Sequence, residues 1–158
     1  MTTITLTTMI NAPVKICFDL SRSIDLHQLS TGASNEKAIA GRLKGLIEEG
    51  EYVTWQATHF TIRQELTTKI IRVSAPHYFF DRMTAGPFKS MEHSHSFNTE
   101  NGKTIMSDVF VYDVPYGIIG KLFDKMVLKK YMIRLLSDRN AMIKEIAESG
   151  GLKKFIRL

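Results

Sequence analysis

The stretch GPFKSMEHSHSFNTENGKTIMSDVFVYDVP, residues 86–115, sets two histidines and an aspartate among apolar side chains. Alternation along an extended strand puts Met91, His93, His95 and Phe97 on one face and Ser90, Glu92, Ser94 and Ser96 on the other. The serine and glutamate side suits solvent, so both imidazoles are expected to turn inward. Asn101-Gly102 marks a two-residue type I′ hairpin turn, because both central positions need positive φ. Counting outward from that turn sets position 95 opposite 108, with 93 a diagonal step away. A histidine and a carboxylate placed so satisfy one another, which lowers the cost of burying either. The plainest reading is a hydrogen-bonded brace. The same groups could also orient a polar ligand, or act in acid–base chemistry with an imidazole near neutrality held by a carboxylate. An H-x-H pair on one strand is also a metal-ligand pattern, but a third ligand would have to come from His59, Asp81 or Asp108, and no metal is assigned.

The neighbouring segments extend this face. Val53, Trp55, Ala57 and His59 alternate against Thr54, Gln56 and Thr58, which turns the sole tryptophan and another histidine inward. Phe79, Asp81 and Met83 form a similar triplet, and Met106, Asp108, Phe110 and Tyr112 share a parity in the strand after the turn. Three histidines and two aspartates exceed what an ordinary core holds and suit a polar floor in an apolar cavity. The candidate ligand-binding set is therefore Trp55, His59, Phe79, Asp81, Met83, Met91, His93, His95, Phe97, Met106, Asp108, Phe110 and Tyr112, together with Phe123 and Met126 from the terminal helix. Aromatic residues in such positions also serve as plain core. No G-x-S-x-G nucleophile elbow or glycine-rich phosphate loop occurs, which argues against hydrolase and nucleotide-binding readings.

The elements that would position this face follow from periodicity. Thr3 to Ile10 reads as a strand, and Pro13 is placed to open a helix carrying Ile16, Cys17, Phe18 and Leu20. A second short helix is expected around Ile24 to Leu29, before a polar loop from Ser30 to Lys37. From Ala38 to Val114 the chain reads as antiparallel strands with turns at Glu49-Gly50, Ala75-Pro76, Gly86-Pro87 and Asn101-Gly102. Beyond Gly117, apolar residues at 119, 122, 123, 126, 132, 135, 136, 142, 143 and 146 recur at helical spacing, which predicts one long helix, bent near its start, stopping at Gly150-Gly151. An antiparallel sheet and a helix with one apolar face bury those faces most simply when the sheet wraps the helix, leaving a pocket between them.

A chain of 158 residues with 44% hydrophobic and 23% charged residues is expected to be one compact domain spanning 1–158, with a basic and apolar tail from 151 that could dock or fray. No apolar run reaches the roughly 18 residues a membrane span needs, and the threonine-rich start has no signal-peptide pattern, so a cytoplasmic location is expected. Cys17 is the single cysteine, which excludes an intrachain disulfide and suggests a small core residue. Much of the net charge of +5 comes from Lys121, Lys125, Lys129, Lys130, Arg134 and Arg139, read as the solvated face of the long helix rather than a nucleic-acid stripe.

In "INAPVKICFDL", "GPFKSMEHSHSF" and "GKTIMSDVFVYDVPYGIIGKL", in that order, the chain resembles the START/Bet v 1-like (SRPBCC) superfamily, and within it bacterial proteins similar to polyketide cyclases and ligand-binding members. The resemblance implies an α+β helix-grip fold: a curved seven-stranded antiparallel sheet around a long C-terminal helix, two short helices after the first strand, and a hydrophobic cavity. Such proteins include lipid carriers, receptors and aromatase/cyclases, so the fold alone does not fix the activity. The function expected is binding of a small hydrophobic or aromatic molecule, lipid-like or polyketide-like, without a cofactor. The rival is a cofactor-independent cyclase, dehydratase or isomerase using the His/Asp cluster.

Overall fold

The structure, a computed structural model, describes residues 1–151 and Phe155. It opens with β1 (Thr2–Ile10), followed by α1 (Val14–Ser21), α2 (Ile24–Ser30) and a 3-10 turn at Gly32–Ser34. Pro13 stands immediately before α1, where its fixed φ suits a helix start. The Ser23 hydroxyl caps α2 by accepting from the Leu26 amide at 3.2 Å. Strands β2 (Lys37–Gly41), β3 (Tyr52–His59), β4 (Ile62–Ser74), β5 (Tyr78–Ala85), β6 (Ser90–Glu100) and β7 (Lys103–Asp113) follow. A long C-terminal rod then runs through α3 (Gly117–Phe123), a π-helical turn (Asp124–Leu128) and α4 (Lys129–Ser149), ending at Gly150 with a φ of 71°.

The strands form one seven-stranded antiparallel sheet in the order β1-β7-β6-β5-β4-β3-β2. Helices α1 and α2 and the rod pack on its inner face, which is the helix-grip arrangement that the sequence resemblance implied. The Asn101-Gly102 turn sets the expected register, with His95 paired to Asp108 and His93 to Phe110. On the other side of β6, Phe79 pairs with His95 and Asp81 with His93. Two apolar clusters fill the interior. One gathers Ile10, Phe18, Leu20, Phe97, Met106 and Ile143 with the buried Cys17. The other gathers Ile4, Met91, Phe110, Tyr112, Met132 and Leu136.

Two local features depart from the sequence reading. The β3–β4 hairpin turns at Phe60 and Thr61, where no glycine or asparagine announces it, and both residues have positive φ, 51° and 66°. Such a conformation is costly for a β-branched residue. Tertiary packing offsets it: the Phe60 ring meets Tyr131 at 4.7 Å and Phe123 at 5.6 Å between centroids. The second departure is the π turn, which inserts extra residues into the rod and breaks the helical phase. Asp124 turns inward there, accepting hydrogen bonds from Tyr112 and Thr2, and Met126, expected to face inward, is 69% exposed. The expectation for the tail falls mostly outside the described residues; Phe155 itself is buried, and its carbonyl accepts from the Ser23 hydroxyl at 3.3 Å.

Candidate functional site

Between the concave sheet face, α2 and the rod lies a cavity of about 780 Å³. Its wall is mostly apolar, with ionisable groups concentrated at two places. Of the residues expected from sequence, Trp55, His59, Phe79, Asp81, Met91, His93, His95, Phe110 and Phe123 line it.

The first polar group sits on β5, β6 and β7, at the seam between the two apolar clusters. The His95 ring stacks on Phe79 with centroids 4.0 Å apart, and the His93 ring meets Phe110 edge-on at 5.1 Å. Oδ1 of Asp108 lies 2.7 Å from His95 Nδ1 and 3.2 Å from His93 Nε2. Both approaches are off-axis, so these are close polar contacts rather than well-directed hydrogen bonds. The other oxygen, Oδ2, accepts a 2.6 Å hydrogen bond from Asn140 Nδ2 on α4. On its far side, His95 Nε2 stands 3.3 Å from Asp81 Oδ1. Arg139 adds a guanidinium 3.9 Å from Asp108 Oδ1 and donates to the Ser21 carbonyl at 2.9 Å.

This setting fixes the charges. Burial, together with the neighbouring His95, pushes His93 down to about 4, against the pull of Asp108 and Asp81, so its imidazole is neutral near pH 7. Burial alone would raise Asp108, but the two imidazoles outweigh it and hold the carboxyl well below its ordinary range. The group therefore presents an ionised Asp108, a neutral His93, and a His95 that bridges two carboxylates. Asp81, His93 and His95 also offer ligand atoms within 4.8 Å of one another, the donor types a divalent ion takes, with Asp108 behind them in the place of an orienting carboxylate.

The second polar group joins α2, the chain before β2, β3 and α4. His27 stacks on Trp55 at 4.2 Å, and its Nε2 lies 3.4 Å from Glu36 Oε2. His59 Nδ1 and the Tyr131 hydroxyl are 2.8 Å apart. Burial would raise Glu36, but the His27 and His59 charges hold it below its ordinary value. Burial lowers His59 and, with Glu36, raises Tyr131.

Several expectations are corrected here. His59, considered as a partner for His93 and His95, belongs to the second group. Phe97 and Met106 are sealed inside the first apolar cluster: Phe97 packs on Phe18 at 5.6 Å, and Met106 sulfur receives the Ser21 hydroxyl at 3.5 Å. Asp108 sits behind the histidines and reaches the cavity through them. Tyr112 spends its hydroxyl on Asp124, and Met83 packs beside the second cluster. Arg139, read as part of the solvated face, is buried. Sequence reasoning missed His27, Glu36, Tyr131 and Asn140. Glu36 lay in a stretch that read as polar loop, and Asn140 could have been found by noting an amide on the apolar side of the terminal helix.

The sequence matches no family profile and no curated protein sequence. Solved structures are similar in fold. Protein TTHA0849 from Thermus thermophilus superposes with a TM-score of 0.70 at 16% identity, covering 90% of this chain and 97% of that one. Ginseng major latex-like protein 151 from Panax ginseng gives 0.67 at 13% identity, covering 92% and 97%. Ara h 8.0201 gives 0.62 at 10% identity, covering 90% and 97%. At these identities the likeness is one of fold.

Proposed function

Taking as premise that the chain has the helix-grip fold of the Bet v 1-like (SRPBCC) superfamily, we propose that it binds a small apolar or aromatic molecule between sheet and rod. The observation that carries this reading is the 780 Å³ cavity, whose apolar wall is interrupted by a few convergent polar groups. A space of this size lies within the roughly 300–1,000 Å³ typical of ligand pockets, and a void so large is not tolerated as a packing fault. The apolar wall removes the ligand's body from water, while His95 with Asp81 at one place and Tyr131 with His59 at the other fix its orientation through hydrogen bonds.

A fluorescent apolar probe, followed by competition with fatty acids, sterols and aromatic polyketides, tests this. Ala57, a small buried residue on the wall, provides the control. Ala57→Trp takes up part of the space and is expected to weaken probe binding clearly while the chain stays folded. Undiminished binding to that variant, or no binding by the parent protein, removes the proposal.

The contact of His95 with Asp81 at the wall supports a second reading, a cofactor-independent cyclase, dehydratase or isomerase. His95 transfers the proton, and the flanking carboxylates set its orientation. His95→Gln would then abolish turnover of a bound polyketide-like substrate while leaving its binding within a few-fold.

A further inference from the structure

The outer face of the rod, where it borders the cavity mouth, is not the polar surface that a helix on a globular protein presents to water. Ile118 is 86% exposed, Ile119 78%, Leu122 58% and Met126 69%. Lys121, Lys125, Lys129, Lys130 and Arg134 are exposed between and beyond them, and from Tyr116 to Arg134 the single acidic residue, Asp124, is buried. The segment therefore carries five exposed cations and no exposed anion. This apolar band continues into the mouth: Tyr116, Phe123 and the strained Phe60–Thr61 turn stand beside it, and Tyr116, Phe60 and Phe123 also line the cavity.

We propose that the exposed face of α3 and the π turn, rimmed by these cations, docks on an anionic lipid surface and holds the cavity mouth against it. A basic helix with bulky aliphatic and aromatic residues on its exposed face lies in the bilayer interface, its apolar side chains among the acyl chains and its lysines at the head groups. The chemistry separates this occupant from the others. A nucleic-acid backbone has no use for Ile118, Ile119, Leu122 and Met126. A second copy on a two-fold axis would bring five cations against five. An acidic protein surface would pair carboxylates with the cations and leave the apolar row over, whereas apolar side chains that stand 58% to 86% exposed, with lysines at every fourth residue beside the row 118, 122 and 126, suit acyl chains under anionic head groups. The docking stands on this exposed face alone. Delivery of a membrane-dissolved ligand through the mouth rests in addition on the cavity reading above.

The test is sedimentation of the full chain with vesicles of phosphatidylcholine, with or without about one-third phosphatidylserine, at low and high salt. Binding is expected on the anionic vesicles, reduced about tenfold or more on the neutral ones and by high salt, because the screening length falls from about 10 Å at 0.1 M to about 3 Å at 1 M. Leu122→Glu combined with Met126→Glu replaces exposed side chains, so the fold and soluble-probe binding to the cavity persist while vesicle binding falls at least about tenfold. Lys121→Glu with Lys125→Glu does the same through charge. The proposal is overturned if the parent chain stays in the supernatant, if the double variants sediment like it, or if light scattering shows that the patch is covered by a second copy. Loss of probe binding in vesicle-free solution would instead strike the cavity reading and leave this one intact.

Discussion

Asn140 on α4 donates to Asp108 on β7 across the grip, at 2.6 Å, and this is the contact through which the helix addresses the polar group on the sheet. It satisfies the carboxylate oxygen that the histidines leave open. Asn140→Leu keeps most of the volume but removes the donor, leaving a buried, ionised carboxylate oxygen unpaired. A loss of about 1 to 3 kcal/mol is expected in chemical denaturation. Asp108→Ala should cost at least as much, since it strips both imidazoles of their shared partner. An unchanged denaturation midpoint in either variant would contradict the pairing.

Acid should unlock the same group in a definite window. His93 titrates at about 4 in the folded chain and near 6.5 when unfolded. Its depressed value means that the unfolded state binds more protons between these limits. The stability contribution is thus complete above about 6.5 and lost as pH falls toward 4, by up to roughly 3 kcal/mol for a shift of this size. His59, also lowered by burial, adds in the same direction. Denaturation midpoints measured from pH 7 to 4 should fall steeply for the parent and less steeply for His93→Gln. Parallel curves would show that His93 does not govern the slope.

Glu36 and His27 form the pair at the second polar group. Glu36 is held ionised against burial by His27 and His59, so Glu36→Gln removes the charge that both imidazoles face. The imidazole proton resonances of His59, whose value Glu36 raises, should titrate at lower pH in the variant. Unchanged His59 titration by NMR would place Glu36 outside the group.

The turn at Phe60–Thr61 offers a gain. A left-handed conformation costs an L-residue roughly 1 to 2 kcal/mol, and glycine is exempt. Thr61→Gly should raise stability by up to about 1 kcal/mol after the extra unfolded-state entropy of glycine is subtracted. Phe60→Gly relieves similar strain but gives up the contacts with Tyr131 and Phe123, so it should not stabilise. A lower melting temperature for Thr61→Gly would mean that the turn is not strained.

Where the sequence was readable, a local rule coincided with a global one. Asn101-Gly102 can hardly sit in anything but a tight turn, and a two-residue turn fixes register, so the facing of His95 and Asp108 was available before any coordinates. Parity did the same for Trp55, Phe79 and Phe110, because a one-residue slip would have put them all in water. Reading failed where tertiary structure overrides local preference. Phe60 and Thr61 turn because aromatic rings from the rod hold them, and those rings lie more than sixty residues away. Helical phase misplaced Met126 because the buried Asp124, drawn to Tyr112 and Thr2, sits in a π turn that no 3.6-residue period anticipates. Glu36 looked like a loop residue because its burial depends on α2 and β3 meeting over it.

The sheet order carries a consequence for how the protein is made. The first strand pairs with the last, Thr2 opposite Tyr112, and the Thr2 hydroxyl reaches Asp124 across 122 residues of sequence. During synthesis β1 has no partner until β7 has emerged, and the cavity has no roof until the rod follows. Closing so long a loop before its contacts repay the entropy predicts slow folding for a domain of this size. It also leaves β1 exposed as a lone strand for most of translation, and its threonines, at positions 2, 3, 5, 7 and 8, make it a poorer template for aggregation than an aliphatic strand would be.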